Sequence, residues 1–369
     1  VAGGAVLAAV LAMAVGSAAG RAPSPADVWS SSVIPWSQVG DGWTLLQESD
    51  LPLVNSDAVI HPDQLLLIDP HGVKYRATPL EGHGMWRLAD WDHRHQRALL
   101  IRPGAYFSGG PSTDVLQVDL RTGVEHQFTA QVDFTGSGEF SDRYGDPDGQ
   151  TILLDGDQLA EYTSTGQPVW EVNLPGGTPN MSTPDGRSIL ASGRTGLDVY
   201  DSATGRLTAH LPAPDAFGDC MSITWQGDGK LTANCSPPHD SRQAAVRTFV
   251  FSVGGVPAPG RHDPAYPSGW ATVTGFRTGS VAWSGQTGSL RAVRVDATGR
   301  LSPIAIPHRF AEGGSWQIAG STADNFLMTH MPRLGPQLDG ILVSWNPFTG
   351  RTVDLVEMPS QVFLSTVSW

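Results

Sequence analysis

Two kinds of tight turn alternate along this chain, and their spacing constrains the fold more than any other feature. The first kind carries Thr-Gly: DLRTG at 119–123, YTSTG at 162–166, DSATG at 201–205, VDATG at 295–299 and NPFTG at 346–350, with DPHG at 69–72 and SVGG at 252–255 in the same role. The final glycines, at 72, 123, 166, 205, 255, 299 and 350, lie 39 to 51 residues apart. Strand-like segments flank them, VLQVDL and VEHQFT about Gly123, LDVY and LTAHL about Gly205, LRAVRV and LSPIAI about Gly299, ILVSW and TVDLVEM about Gly350. A second turn precedes each by 17 to 30 residues: GDGWTLL at 40–46, DHRHQRALLI at 92–101, DPDGQTILL at 146–154, TPDGRSILA at 183–191, GDGKLTA at 227–233, RTGSVAW at 277–283 and TADNFLM at 322–328. Asp-Gly and its relatives tolerate the positive φ of tight hairpin turns, and the apolar run after each is a short buried strand. Each unit of about 45 residues therefore holds four antiparallel strands, A to D.

Four-stranded units repeated at this period predict a β-propeller, in which every blade is buried on both faces by its neighbours. Sandwiches and stacked β-helices do not alternate two turn types per unit. The expected fold is all-β, a seven-bladed β-propeller of four-stranded antiparallel blades over residues 33–369. Composition agrees: 43 Gly and 28 Pro among 369 residues leave little room for long helices, while 16% charged against 40% hydrophobic residues suits strands without a wet face. TPDGRSI at 183–189 resembles the SPDG turn of WD-repeat and TolB-like families, and YTSTGQPVW at 162–170 resembles the TG-x-x-x-W turn of quinoprotein-like repeats. Over residues 33–360 the chain is thus similar to the broad group of bacterial extracytoplasmic propellers. That resemblance implies architecture; activity does not follow, because such propellers serve as scaffolds, receptors and enzymes. The tail QVFLSTVSW at 361–369 reads as one further inner strand, expected to close the ring beside residues 33–37.

Residues 1–20, VAGGAVLAAVLAMAVGSAAG, carry no charge, and Arg21 with APSP at 22–25 opens a linker over 21–32. This is an N-terminal hydrophobic helix, read as a signal peptide with Ser17-Ala18-Ala19 as its cleavage site or as an uncleaved membrane anchor. Its Ala and Gly content makes a weak anchor and favours cleavage. On both readings the remainder is extracytoplasmic, secreted or anchored to the cell membrane. Cys220 and Cys235 flank WQGDGK at 225–230 symmetrically, so they face each other across a hairpin and are expected to form a disulfide. A net charge of −13 argues against binding nucleic acid or an anionic lipid surface, leaving residues 1–20 as the one membrane contact.

If strand A lines the channel, A–B and C–D turns share one face and B–C and D–A connections share the other. The B–C connections at 48–64, 102–113, 236–245 and 330–339 are long, and long loops are where function concentrates. Their notable residues, Tyr106, Phe107, His239, Asp240, Arg242, His330 and Arg333, are the candidate ligand-binding set. The expected function is a non-catalytic monomer that binds a protein or cell-envelope ligand through this face, with no cofactor or metal. The alternative is an enzyme acting on polysaccharide or sugar through the central channel, with His and carboxylates from several inner strands.

Other constellations point to structure. Asp92, His93 and His95, with His83 upstream, have metal-ligand types, but they coincide with an A–B turn whose side chains are expected in solvent. Asp142, Asp146 and Asp148 lack the spacing and closing Glu of a calcium loop and read as a solvated turn. No G-x-S-x-G, H-E-x-x-H or G-x-x-x-x-G-K-[ST] motif occurs, and no hydrolase domain is expected after the last unit. Trp170 is the one Trp four residues after a turn glycine, and vicinal cysteines are missing, which argues against a quinoprotein dehydrogenase. Trp225, Trp283 and Trp345 fall in expected strands, where packing accounts for them.

Overall fold

The computed structural model describes residues between 33 and 368, leaving out 41, 51–62, 72, 81–85, 104–111, 132–142, 146–148, 156–157, 175–179, 184–185, 194, 214–216, 218–219, 228–229, 237–246, 253–271, 277–278, 285–289, 296–300, 312–314, 322–324, 332–339 and 359–361. The described residues form antiparallel sheets, six of four strands and one of three. In chain order the second holds Arg87–Asp92, Arg97–Pro103, Thr113–Asp119 and Glu125–Ala130, and the third Arg143–Tyr144, Thr151–Asp155, Gln158–Thr163 and Pro168–Asn173. The fourth holds Asn180–Ser182, Ser188–Gly193, Gly196–Asp201 and Leu207–Pro212, and the fifth Cys220–Gly227, Lys230–Cys235 and Arg247–Ser252. The sixth holds Thr272–Phe276, Gly279–Ser284, Arg291–Val295 and Leu301–Pro303, and the seventh Ser315–Ser321, Phe326–Met331, Gly340–Trp345 and Thr352–Met358. Each is a meander in which strands A to D pair in sequence order. The residues after Ser252, where a fourth strand of the fifth sheet was expected, lie outside the described ones.

The first sheet breaks the rule. It orders Val362–Ser368, Thr44–Asp50, Asp63–Ile68 and Lys74–Leu80, so its A strand comes from the C-terminal tail. The tail is an inner strand as expected, but its partner is Thr44–Asp50, in register from Thr44↔Ser368 to Asp50↔Val362. Residues 33–37 do not supply that partner; a 3-10 turn occupies Trp36–Gln38. Pro35 precedes that turn and its Trp36 N–H folds back onto the Ile34 carbonyl, a local reversal incompatible with an extended edge.

Middle strands read as continuous apolar runs because both faces are covered. Leu65, Leu66, Leu67 and Ile68 are all buried, and alternate residues serve different neighbours. Leu65 and Leu67 pack with Leu88, Leu100 and Leu116 of the second sheet, whereas Leu66 and Ile68 pack with Leu327, Leu342 and Leu355 of the seventh. Leu99, Ile101 and Val115 turn instead to Ile152 and Leu154 of the third sheet. Leu153 and Leu159 meet Ile189 and Ala191 of the fourth, whose Leu190 and Val199 meet Leu231, Ala233 and Phe249 of the fifth. Val281 of the sixth packs with Met328, Val343 and Trp345 of the seventh.

Turn glycines do two jobs. Gly123, Gly166, Gly205 and Gly350 all have φ between +65° and +84°, as the Thr-Gly signature anticipates. At two of them any side chain would also collide with the preceding sheet: a Cβ on Gly166 would lie 2.6 Å from the Phe128 ring and one on Gly205 2.6 Å from the Trp170 ring. Trp170 is held there by its indole N–H, which donates to the Ser202 carbonyl at 2.8 Å. Polar side chains fix the inter-sheet register as well. Buried Gln47 of the first sheet donates to the Trp86 carbonyl and accepts from Leu88 N–H of the second, both at 2.6 Å. Among the described residues, the single α-helix is His308–Ala311, and no helix is long and apolar enough to cross a membrane. The expected helix at 1–20 lies outside the described residues.

Cys220 and Cys235 are directly opposed in the register, fully buried and joined by a disulfide. The turn between them is tighter than the symmetric hairpin anticipated, ending at Gly227↔Lys230, and irregularities after Met221 and Trp225 absorb the difference. A bond closing 15 residues of chain contributes about 3 kcal/mol. Cys220→Ala/Cys235→Ala is expected to lower the free energy of unfolding by that amount, about 3 kcal/mol, and oxidised protein to show no titratable thiol. Unchanged stability on reduction would remove the bond from the account.

Candidate functional site

Strand ends sort the connections onto two rims. The A–B and C–D connections that lie between described strands are two to six residues long. On the opposite rim the B–C connections at 51–62, 104–112, 236–246 and 332–339 are long, against 156–157 and 194–195 in the third and fourth sheets. Tyr106, Phe107, His239, Asp240, Arg242 and Arg333 belong to these connections and lie outside the described residues. His330 differs from the expectation: its backbone is inside the strand Phe326–Met331, paired with Trp316 and Ile341, because the apolar run of the B strand continues past it.

What the structure describes at this rim is the pair of strand ends that residues 104–111 join. Arg102 and Asp114 face each other where strands B and C of the second sheet diverge, in register and bonded Nη2 to Oδ2 at 2.6 Å. Asp114 also accepts from Thr129 Oγ1 at 2.7 Å, and the Arg102 guanidinium sits over the Trp86 ring, 4.9 Å from its centroid. Partial burial raises the Asp114 pKa, but the bonds from Arg102 and Thr129 outweigh it and hold the carboxyl below its usual range. This set is a rigid, ionised, half-exposed platform that presents one cation over an indole.

The junction of the second and third sheets carries a denser polar set. Buried Asp90 accepts from its neighbour Trp91 N–H at 2.7 Å and, across the junction, from Tyr144 N–H at 2.8 Å. Burial lifts its pKa to about 6, against the two N–H bonds and the Arg143 charge, which lower it. Arg143 reaches onward to Ser182 Oγ of the fourth sheet at 3.0 Å. Asp92 caps the A–B turn, accepting from Arg94 and His95 N–H at 3.1 Å and pairing with His95 Nδ1 at 2.7 Å and Arg97 Nη2 at 2.9 Å. The turn reading of Asp92, His93 and His95 stands with one correction: Asp92 is buried, because Arg97 and the turn amides neutralise it there. His83, Asp142, Asp146 and Asp148 lie outside the described residues. Trp345 packs against Phe310 and Phe326 as a core ring, Trp283 joins the same cluster, and the Trp225 side chain is not among those described.

Sequence reasoning passed over one further group on the long-loop rim. In the fourth sheet Asp198 and His210 are register partners bonded Oδ1 to Nδ1 at 2.7 Å, and Thr195, in the short B–C turn, brings Oγ1 to 3.1 Å from His210 Nε2. Asp198 and His210 are 12 residues apart in sequence and meet through strand pairing alone.

No family model and no curated protein matches the chain. Solved structures do. The β-propeller domain of the trilobed protease from Pyrococcus furiosus superposes with a TM-score of 0.55 at 12% identity, over 85% of this chain and 94% of that one. The acylaminoacyl peptidase from Pyrococcus horikoshii gives 0.56 at 11% identity, over 85% of this chain and 50% of its own. Likeness at such identity carries the fold alone. The meandering three- and four-stranded antiparallel sheets are those of a β-propeller.

Proposed function

We propose that this chain is a seven-bladed, extracytoplasmic β-propeller, of the WD-, TolB- and quinoprotein-like kind, that binds a protein or cell-envelope ligand through its long B–C connections. Sevenfold closure is supported by the alternating core clusters that link the first sheet to both the second and the seventh. It is supported too by Val362–Ser368 packing beside both Arg87–Asp92 and Ser315–Ser321. The observation that carries the binding reading is the asymmetry of the connections between described strands: the A–B and C–D ones are short, and four of the B–C ones are long, one of them joining the strands that carry Arg102 and Asp114. A rigid scaffold with variable loops on one side suits recognition by shape and by a few aromatic and charged anchors. The disulfide fits an oxidising compartment.

Deleting 104–111 is expected to reduce co-sedimentation with isolated cell walls, or photo-crosslinking to surface proteins through a photoreactive residue at 106, by about tenfold. Thermal stability should stay within about 0.5 kcal/mol. Retained binding and crosslinking would take this loop out of the site. Fractionating cells that express the full reading frame tests the location, and protein found wholly in the cytoplasm would overturn it.

A further inference from the structure

The group at Thr195, Asp198 and His210 is arranged for chemistry that a surface hydrogen-bond network does not need. His210 is bonded at both ring nitrogens: Nδ1 to the Asp198 carboxylate at 2.7 Å and Nε2 to the Thr195 hydroxyl at 3.1 Å. In the tautomer that donates Nδ1–H to the Asp198 carboxyl oxygen, the Nε2 lone pair accepts from Thr195 O–H. A hydroxyl donating to an imidazole whose far nitrogen is held by a carboxylate is the relation of nucleophile, general base and orienting group in acyl transfer, and it is recognised by geometry irrespective of sequence order.

The frame around it is stiff. Asp198 and His210 are fixed as cross-strand partners, and Thr195 sits in a two-residue turn closed by the Gly193↔Gly196 pair. The Thr195 carbonyl is tied down by Ala213 N–H at 2.8 Å. Gly196, next to Thr195, has φ +151° and no space for a Cβ, which would lie 2.0 Å from the Leu211 carbonyl, so that position is restricted to glycine. Thr195 is exposed, and the side chains of His210 and Asp198 are 39% and 22% exposed, so the hydroxyl is open to a ligand while the carboxylate is partly shielded.

We propose that Thr195, His210 and Asp198 form an acyl-accepting site for activated carboxylic esters on the same rim as the long connections. Thr195 Oγ attacks the ester carbonyl while its proton passes to His210 Nε2. The tetrahedral adduct expels the alcohol, which leaves with that proton. Water then attacks the acyl-threonine, giving a proton to Nε2 and releasing the carboxylic acid, with Nε2 returning the proton to Thr195. The balance is ester plus water to acid plus alcohol, with no oxidant or further reactant. Asp198 is a positioning residue that holds the tautomer. Solvent weakens charge stabilisation at so open a site, which confines the substrate class to esters with good leaving groups, such as aryl acetates.

The test uses the whole chain with p-nitrophenyl acetate and a fluorophosphonate probe. Hydrolysis above the free-imidazole background and a probe adduct mapped to Thr195 are expected. Thr195→Val should remove the adduct and lower the rate about tenfold or more, and Thr195→Ser, which relieves the β-branch, should keep or raise it. Asp198→Asn, whose amide can donate to Nδ1 and move the ring proton to Nε2, should slow hydrolysis with the fold intact and alter the pH–rate profile. A rate lost in His210→Ala but kept in Thr195→Val would make the imidazole itself the nucleophile and overturn the proposal. An adduct elsewhere, or none, would overturn it too. Cell-wall binding by Thr195→Val stays as in the parent, so failure here is distinguishable from failure of the loop reading.

Discussion

Asp90→Ala is expected to destabilise the protein by about 4 kcal/mol at pH 4 and by only about 1 kcal/mol at pH 7.5. The cost arises because the carboxyl accepts two buried backbone N–H groups, one from Trp91 and one across the sheet junction from Tyr144. Leaving each without a partner costs about 2 kcal/mol. The pH dependence belongs to the parent protein. Burial raises the folded pKa of Asp90 from 3.8 to about 6, so the folded chain binds a proton that the unfolded chain has released between those values. Its favourable contribution is therefore complete below about pH 4 and lost as pH rises through about 6, a difference of about 3 kcal/mol for two pKa units. Asp92 works in the opposite sense: its net pKa is lowered by Arg97 and His95 against its own burial, so its contribution is lost on acidification. The two act at one junction in opposite directions, which is why the variant and not the parent's raw pH profile isolates Asp90. Urea unfolding of parent and Asp90→Ala at pH 4, 5.5 and 7.5 measures the difference, and a cost independent of pH would mean that Asp90 titrates normally. Asp90→Asn, neutral throughout, should show the same pH-dependent difference from the parent.

That junction also shows where sequence reading succeeds and where it stops. The turn glycines were legible because positive φ restricts residue type at a fixed place: Gly123, Gly166, Gly205 and Gly350 occupy the conformation their Thr-Gly context announces. The apolar runs were legible because strands covered on both faces cannot alternate, as Leu65 to Ile68 show. Contacts between sheets left no comparable trace. Asp90 reads as an ordinary acidic residue within RLADWD, and only the approach of Tyr144, 54 positions on, gives it a role. Asp198 and His210 depend on still finer detail. Counting back evenly from the DSATG turn through Tyr200↔Leu207 would set Asp198 opposite Ala209 and turn His210 to the other face of the sheet; a bulge between Val199 and Tyr200 shifts the register by one and brings His210 opposite Asp198. Thr208 Oγ1 donates to the Val199 carbonyl at that bulge, 3.0 Å away, but nothing in its sequence context distinguishes it from a threonine in a regular strand. Chain closure was half legible: QVFLSTVSW has strand character, yet GDG at 40–42 looks like every internal A–B turn and so invites an A strand before it that the fold takes from the other end of the chain.

Removing residues 361–369 should therefore have the largest effect of any short deletion in this protein. The strand Val362–Ser368 pairs along seven residues with Thr44–Asp50, and its loss turns that strand into an unpaired edge. Beneath that edge lie Leu45 and Leu46, both fully buried, one facing the second sheet and the other the seventh. The same strand packs beside the innermost strands of both those sheets, Arg87–Asp92 and Ser315–Ser321, so its removal takes away both of those contacts as well. Loss of the pairing and of both flanking contacts amounts to at least about 5 kcal/mol, comparable to the whole stability of a typical domain. The truncated chain is expected to lose its cooperative thermal transition, bind a hydrophobic dye and self-associate through the Thr44–Asp50 edge. A synthetic peptide of residues 361–369 added in excess should restore slow amide exchange in 44–50, because strand addition to that edge recreates the missing ladder. Deleting 104–111, a B–C connection of the second sheet, removes a segment of similar length while leaving both Val362–Ser368 and Thr44–Asp50 in the chain, and serves as the control. A truncated chain that kept the parent's midpoint, with 44–50 still protected from exchange, would show that closure through the C-terminal strand does not hold the propeller together.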